Sequence, residues 1–199
     1  QPQMPRQQRG VRPSRALPYA VDVAQTWVAG GEPLRLGLHN VGAAALVLHV
    51  HDLLDSERPP RRFTIEPGRQ LEGDWPLRPG VGPAWHLQLH GPNGFFRAWR
   101  GVRSEGLQVA TRTDRRGAIV LVVDSLSARR LTLRDHYGLQ PARSLAITPG
   151  RTEWRVDLSH HRGWYDLELT VPDDPHWLCR AAGRVETGRD GVSDIGLAA

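Results

Sequence analysis

The strongest constraint on the fold of this chain is an internal repeat with a spacing of roughly 80 to 85 residues. The offsets between matched segments are 85, 85, 82 and 80 residues, a slow drift that small deletions in loops would produce. The matched segments are residues 36–40 with 121–125, 46–51 with 131–136, 64–69 with 146–151, and 85–89 with 164–169, the last placing Leu87 on Leu167. The repeat predicts two homologous units, residues 16–102 and 103–186.

Both units have the pattern of β-strands. Leu34, Leu36 and Leu38 alternate with more polar residues, which is typical of a half-buried strand, and residues 118–123 are continuously apolar. Turn signals rich in Gly, Pro and Asn recur every 8–12 residues, for example at 91–94 and 172–175. We therefore predict an all-β fold of two tandem antiparallel β-sandwich domains, immunoglobulin-like in size. The pattern leaves the strand topology open.

The distribution of charge argues against a nucleic-acid partner. All 26 basic residues are Arg, against 21 acidic residues, for a net charge of +5. Four of these arginines lie in residues 1–15 without an acidic residue, whereas both units are nearly neutral. This Gln- and Pro-rich segment of residues 1–15 is too polar to fold alone. No apolar run approaches the roughly 20 residues of a membrane-spanning helix, and a single Cys excludes both a disulfide framework and a zinc site built on cysteines.

The sequence offers few candidates for catalysis or metal binding. His49 and His51 would share one strand face about 7 Å apart, but a third ligand is not evident, and two partly exposed histidines are the simpler interpretation. The adjacent pair His160 and His161 is expected in a loop. The chain has no G-x-S-x-G, P-loop or H-E-x-x-H motif. We predict no catalytic residue, no metal site and no cofactor in this chain.

The aromatic residues fall into two groups. Trp75, Trp85, Trp154 and Trp164 lie in strand patterns and are expected in the core, as is the small apolar side chain of Cys179. The others follow turns: Phe95, Phe96 and Trp99 lie beside Arg97 after residues 91–94, and Trp177 follows residues 172–175. Aromatic and Arg side chains at a hairpin tip are candidates for contact with lipid headgroups. The alternative is that Phe95 and Trp99 face the core and only Phe96 is exposed.

Several motifs together resemble a known family. The turn His90–Gly91–Pro92–Asn93–Gly94, continued by residues 95–101, is similar to the most distinctive motif in the repeated C-terminal region of secreted bacterial phospholipases C, a group related to acid phosphatases. Residues 12–19, 164–167, 183–188 and 193–194 continue the likeness. Two departures are Pro172–Asp173–Asp174–Pro175, where the first unit has Gly-Pro-Asn-Gly, and Ile195, where the family has Pro.

The resemblance implies a non-catalytic accessory region of an enzyme that hydrolyses phosphatidylcholine or sphingomyelin. Residues 1–15 would be the linker from an upstream catalytic domain, which would be the main partner and would hold every catalytic residue, and residues 187–199 would be a C-terminal tail. A secreted or periplasmic location and a phospholipid membrane as second partner are also implied. The region would aid stability, lipid-surface binding or substrate binding. Two rival hypotheses are a carbohydrate- or protein-binding β-sandwich and an enzyme built on His49 and His51.

Overall fold

The structure is a computed structural model that describes residues 9–28, 33–77, 85–101, 106–114 and 116–198. Almost all of its regular structure is β-strand, because the sequence consists of short runs of alternating apolar and polar residues separated by turns. The strands are β1 (Pro13–Ser14), β2 (Val21–Trp27), β3 (Leu34–Asn40), β4 (Leu46–Asp52), β5 (Arg61–Ile65), β6 (Gln70–Trp75), β7 (Trp85–His90), β8 (Phe96–Gly101), β9 (Leu107–Thr113), β10 (Ile119–Ser125), β11 (Arg129–Asp135), β12 (Arg143–Ile147), β13 (Gly150–Val156), β14 (Trp164–Val171), β15 (Asp174–Arg184) and β16 (Gly191–Val192). A 3₁₀ turn at Ile195–Ala198 follows the last strand.

The strands form two large antiparallel sheets and a small ribbon. The six-stranded sheet has the order β13-β10-β9-β2-β3-β6, and the eight-stranded sheet has the order β12-β11-β14-β15-β8-β7-β4-β5. The ribbon pairs β1 with β16, so the beginning and the end of the described chain lie side by side. The predicted all-β antiparallel sandwich is confirmed.

Both sheets run through the two predicted units without a break. The first strand of one unit pairs with the first strand of the other, with Val23 of β2 opposite Thr111 of β9. The last strands pair in the same way, with Trp99 of β8 opposite Cys179 of β15. The two predicted units therefore share both sheets edge to edge, in a pseudo-twofold arrangement that also protects four strand edges from unwanted pairing. Their division into two separate domains is not confirmed. The predicted boundary at residues 102 and 103 lies outside the described residues, as does most of the predicted linker.

The strand registers correct one detail of the repeat. Val50 lies opposite Leu89, and Asp135, which matches Val50 at the offset of 85, lies opposite Leu167. If that offset is kept, Leu89 matches Leu167. The predicted match of Ile65 with Ile147, which lie opposite Leu46 and Arg129, instead gives an offset of 83 for β4 and β11 and keeps Leu87 on Leu167, so one of these matches must shift by two residues. A shift of two keeps the same side chains facing inward, so the alternation pattern could not reveal it.

The core is one hydrophobic cluster that extends through both units. Leu34, Leu36 and Leu38 of β3 are fully buried, as the alternation predicted. Each contributes on the order of 2 kcal/mol by removal from water. The predicted core residues Trp75, Trp85 and Trp164 are buried, whereas Trp154 is only half-buried against the cluster.

Cys179 is a buried free cysteine on β15, as predicted. Burial raises the pKa of its thiol to about 12, so the thiolate is essentially absent at neutral pH. Within the described ranges, no helix is long and apolar enough to cross a membrane.

Candidate functional site

The family-motif turn connects β7 to β8 and has a demanding backbone. Asn93 and Gly94 have φ angles of 56° and 68°, in the left-handed region that Asn and Gly tolerate best. The Phe95 amide donates to the Pro92 carbonyl at 3.1 Å, and the Gly91 amide donates to the Phe95 carbonyl at 2.8 Å. A side chain at Gly91 would collide with Leu48. The local sequence therefore fixes the turn and aims the Asn93 amide in one direction.

That direction leads to a buried carboxylate at the end of the second unit. Asn93 Nδ2 donates to Glu186 Oε1 at 2.7 Å, and Arg184 Nη1 donates to the same oxygen at 2.8 Å. The other oxygen, Oε2, accepts the backbone amide of Leu17 at 3.2 Å; Leu17 ends the segment of residues 12–17 that we call the leader. The side chains of Arg184 and Glu186 are each only 5% exposed. We call Asn93, Arg184 and Glu186 the clasp, because they join the first unit, the second unit and the leader.

The leader is also held by the C-terminal tail beside the ribbon. The Arg12 amide donates to Ser193 Oγ at 3.0 Å, and the Ser193 amide donates back to the Arg12 carbonyl at 2.8 Å. The Ala16 amide donates to Asp190 Oδ1 at 3.1 Å. Trp164 Nε1 donates to the Val192 carbonyl at 3.0 Å, which fixes the ribbon to β14. Motifs that are widely separated in sequence thus meet at one end of the sandwich.

Asp194 secures the tail from the other side. Tyr137 Oη donates to Asp194 Oδ1 at 2.8 Å. Burial, together with this hydrogen bond, raises the pKa of the Tyr137 phenol, which therefore stays protonated and keeps its donor. The Ser193–Asp194 pair of the family resemblance consequently has a structural task for each residue.

Arg97 lies behind the clasp, at the junction of the two units, and is 1% exposed. Its Nε donates to Thr111 Oγ1 at 2.9 Å and its Nη2 to Tyr165 Oη at 2.9 Å, while Nη1 donates to the carbonyls of Phe96 and Ala182. The guanidinium also stacks 4.1 Å from the centre of the Phe95 ring. A buried guanidinium is stable only when its donors are paired. Here residues of both units supply the acceptors, so Arg97 pins one unit to the other.

The structure places the predicted lipid-contact residues mostly inside. Arg97, Trp99 and Trp177 are 1%, 2% and 4% exposed, and contact with a headgroup would require them at the surface. Phe95 is half-buried beneath the Arg97 guanidinium. Phe96 is half-buried as well, with its ring centre 5.1 Å from that of His90. Trp99 faces the core because it alternates with Arg100 on β8, as the alternative interpretation of the sequence expected.

The histidine pair of β4 has a neighbour that the sequence did not indicate. His90 of β7 lies opposite His49, and its ring centre is 5.3 Å from that of His51. Burial, followed by the nearby His51 and His49, lowers the pKa of His90. Across the described ranges, no group of three or more His, Cys, Asp or Glu side chains has an arrangement that could hold a metal ion. Strand pairing brings these three histidines together in one patch.

His161, expected in a loop beside His160, is a buried residue that sequence reasoning missed. Its Nε2 lies 2.9 Å from Asp135 Oδ2, and both side chains are almost fully buried. Asp135 also accepts the backbone amides of Tyr137, Leu139 and Gln140. No hydroxyl or thiol among the described residues bonds to His161, so the pair lacks the nucleophile of a catalytic triad. It organises the loop after β11.

The chain is similar to bacterial phospholipases C. Residues 13–102 match the family model described as bacterial phospholipase C, C-terminal domain. Over 98% of its length the chain is 35% identical to a non-hemolytic phospholipase C of Pseudomonas aeruginosa. It is 30% identical to a non-hemolytic phospholipase C of Burkholderia pseudomallei and 27% identical to a hemolytic phospholipase C of Pseudomonas aeruginosa, each over 96% of the chain. The chain spans only 30%, 28% and 30% of the lengths of these three relatives.

Proposed function

We infer that this chain, which belongs to the family of bacterial phospholipase C C-terminal domains, is a non-catalytic module that fastens the catalytic part of such an enzyme to a rigid β-scaffold. The observation that carries this proposal is the capture of the leader. Residues 12–17 are held by Ser193, Asp190 and Glu186, all of which lie at or beyond the end of the second unit. A polypeptide entering through this leader has little freedom to rotate against the sandwich.

The non-catalytic part of the proposal rests on the chemistry of the polar groups. The clasp, Arg97 and the pair of His161 with Asp135 each make hydrogen bonds to their own chain, and only Arg184 Nε and His161 Nδ1 among their buried polar atoms have no partner in the described residues. Hydrolysis of a phosphodiester needs a nucleophile or an activated water with charge stabilisation at the leaving oxygen. The described residues bring no such group into an accessible cleft, and the chemistry would reside in the catalytic part. An exported location, inherited from such a parent, belongs to the same proposal.

A role at the lipid surface is not assigned to the aromatic residues of the turns, because most of them are buried. The rival carbohydrate-binding hypothesis needs an exposed aromatic platform. Trp75 is 6% exposed and Trp154 is half-buried, so neither side chain favours it.

The proposal is tested in the full-length enzyme that carries this chain. Glu186→Gln leaves one acceptor oxygen for the three donors that now share two, and we expect the thermal inactivation midpoint to fall by about 3 °C with kcat unchanged before inactivation. Glu153→Gln is the matched control, since Glu153 forms an exposed pair with Arg112. Equal midpoints for the two variants would contradict the fastening role. Hydrolysis of a soluble phosphocholine ester by the purified chain alone would contradict the non-catalytic role.

A further inference from the structure

A groove of about 520 Å³ lies beside the ribbon, on the side of the second unit. Its walls are the β9–β10 hairpin, the loop that precedes β14, and the tail around β16. Four arginines line it: Arg116, Arg162, Arg184 and Arg189. We propose that this groove binds a phosphoryl anion, a phosphate monoester or diester group, through Arg162, Arg189 and Arg116 above the Arg184 guanidinium.

The first argument is the state of these arginines. Arg116, Arg162 and Arg189 are exposed, and no hydrogen bond or ion pair from their side chains to another described residue is present. Several arginines on the sheets are instead paired with carboxylates, as Arg35 is with Asp74 at 2.7 Å and Arg180 is with Asp166 at 2.6 Å. Guanidinium groups present paired N–H donors that fit phosphate oxygens. The three guanidinium groups around this concave surface therefore have N–H donors that are not bonded to the described part of the chain.

The second argument is the floor of the groove. Arg184 is 5% exposed, yet its Nε is buried and has no hydrogen-bond partner in the described part of the chain. Because solvent does not reach Nε, this atom offers no hydrogen bond to a ligand in the groove, and the Arg184 side chain contributes to anion binding only through a charge that Glu186 partly offsets. Gly191 is required here, because a Cβ at that position would overlap the Arg184 guanidinium. A Cβ at Gly163, whose φ is 85°, would lie 3.8 Å from Arg184 Nε.

The acidic residues of the groove leave this binding surface open. Asp157 accepts the amide of Ser159 at 3.0 Å and its hydroxyl at 2.9 Å. These hydrogen bonds lower the pKa of Asp157, with a smaller effect from Arg155 and His160. Asp190 is bonded to the leader through Ala16. With Arg184 paired to Glu186, the other three guanidiniums and the two carboxylates leave the groove with one net positive charge.

The test uses the whole chain and two probes. The first is inorganic phosphate, titrated calorimetrically at constant ionic strength with acetate as the reference anion. The second is sedimentation with vesicles of phosphatidylcholine, with and without phosphatidic acid. We expect Arg162→Gln/Arg189→Gln to weaken binding about tenfold or more, because it removes two charge-assisted contacts. The control is Arg69→Gln, an exposed arginine of the β5–β6 turn in the first unit.

Each outcome of these experiments either supports or overturns the proposed anion site. Loss of phosphate binding in the double variant alone supports a soluble phosphoryl ligand. Loss of binding to phosphatidic acid vesicles in the double variant alone supports a lipid headgroup as the source. Absence of binding to both probes, or equal weakening by Arg69→Gln, overturns the proposal. Circular dichroism of the double variant is expected to match the parent chain, since both side chains are exposed.

Discussion

Asn93 in the turn of the first unit donates a hydrogen bond of 2.7 Å to Glu186, which follows the last long strand of the second unit. The two residues are 93 positions apart, and the same carboxylate holds Leu17 of the leader. The turn that most strongly marks the family resemblance is therefore a connector inside the molecule. Position 93 of this turn needs a residue that adopts a positive φ and also carries a side-chain amide to bond Glu186.

Replacing Asn93 by glycine separates these two demands. Glycine keeps the positive φ but removes the amide, and we expect Asn93→Gly to lower the free energy of unfolding by about 1–2 kcal/mol. Urea unfolding of this variant, of Glu186→Gln and of the double variant forms a double-mutant cycle. If the two side chains are bonded directly, Glu186→Gln should lower the free energy of unfolding less in the Asn93→Gly variant than in the parent chain. Strictly additive effects would show that the two side chains are not coupled.

Arg97 tests the junction between the units. Arg97→Met keeps much of the buried volume but leaves Thr111, Tyr165 and the Ala182 carbonyl without their donor. We expect a loss of about 3 kcal/mol or more in the free energy of unfolding. Arg134→Met, on the exposed face of β11, is expected to change stability by less than about 0.5 kcal/mol. Similar losses in the free energy of unfolding for the two variants would show that Arg97 does not stabilise the junction between the units.

Gln25 is an apparent imperfection in the core. It is 1% exposed and continues the inward row of Val21 and Val23, and neither amide atom has a hydrogen-bond partner among the described residues. Gln25→Leu should therefore raise the free energy of unfolding by about 1–2 kcal/mol, since it removes an unsatisfied polar group at similar volume. Thermal unfolding against Gln108→Leu, an outward position on β9, provides the comparison. Destabilisation by Gln25→Leu would mean that the amide has an unrecognised partner.

The histidine patch predicts a dependence of stability on pH. The pKa of His90 is lowered in the folded chain, chiefly by burial and then by His51 and His49, so the unfolded chain binds this proton more readily. The contribution of His90 is fully present above the unfolded pKa of about 6.5 and is lost as the pH falls through the lowered folded pKa. Urea unfolding at a series of pH values should show a shallower decline for His90→Gln than for the parent chain. A decline of unchanged slope would exclude His90 as a contributor.

The sequence predicted the strands, the turns and the repeat because these depend on local alternation and on Gly, Pro and Asn. It could not predict that β2 pairs with β9 and β8 with β15, since edge pairing between units leaves no local signal. Arg97 and Trp177 were expected near the surface because each follows a turn signal, and arginine is in general seldom fully buried. Only the partners supplied by both units make the Arg97 guanidinium stable in the core. Glu186 lies in residues 183–188, which carry part of the family resemblance, but its role could not be predicted because two of its three donors, Asn93 and Leu17, come from distant segments.

The claim that the clasp fastens the leader is tested most directly by hydrogen exchange at the Leu17 amide. In the parent chain this amide should be protected, because it donates to Glu186 Oε2. In Glu186→Gln it should exchange about tenfold faster or more, while amides in the centre of β3 and β10 stay protected and Glu153→Gln leaves Leu17 unchanged. Exchange of Leu17 at the rate of an unfolded peptide in the parent chain, or equal protection in Glu186→Gln, would contradict the account.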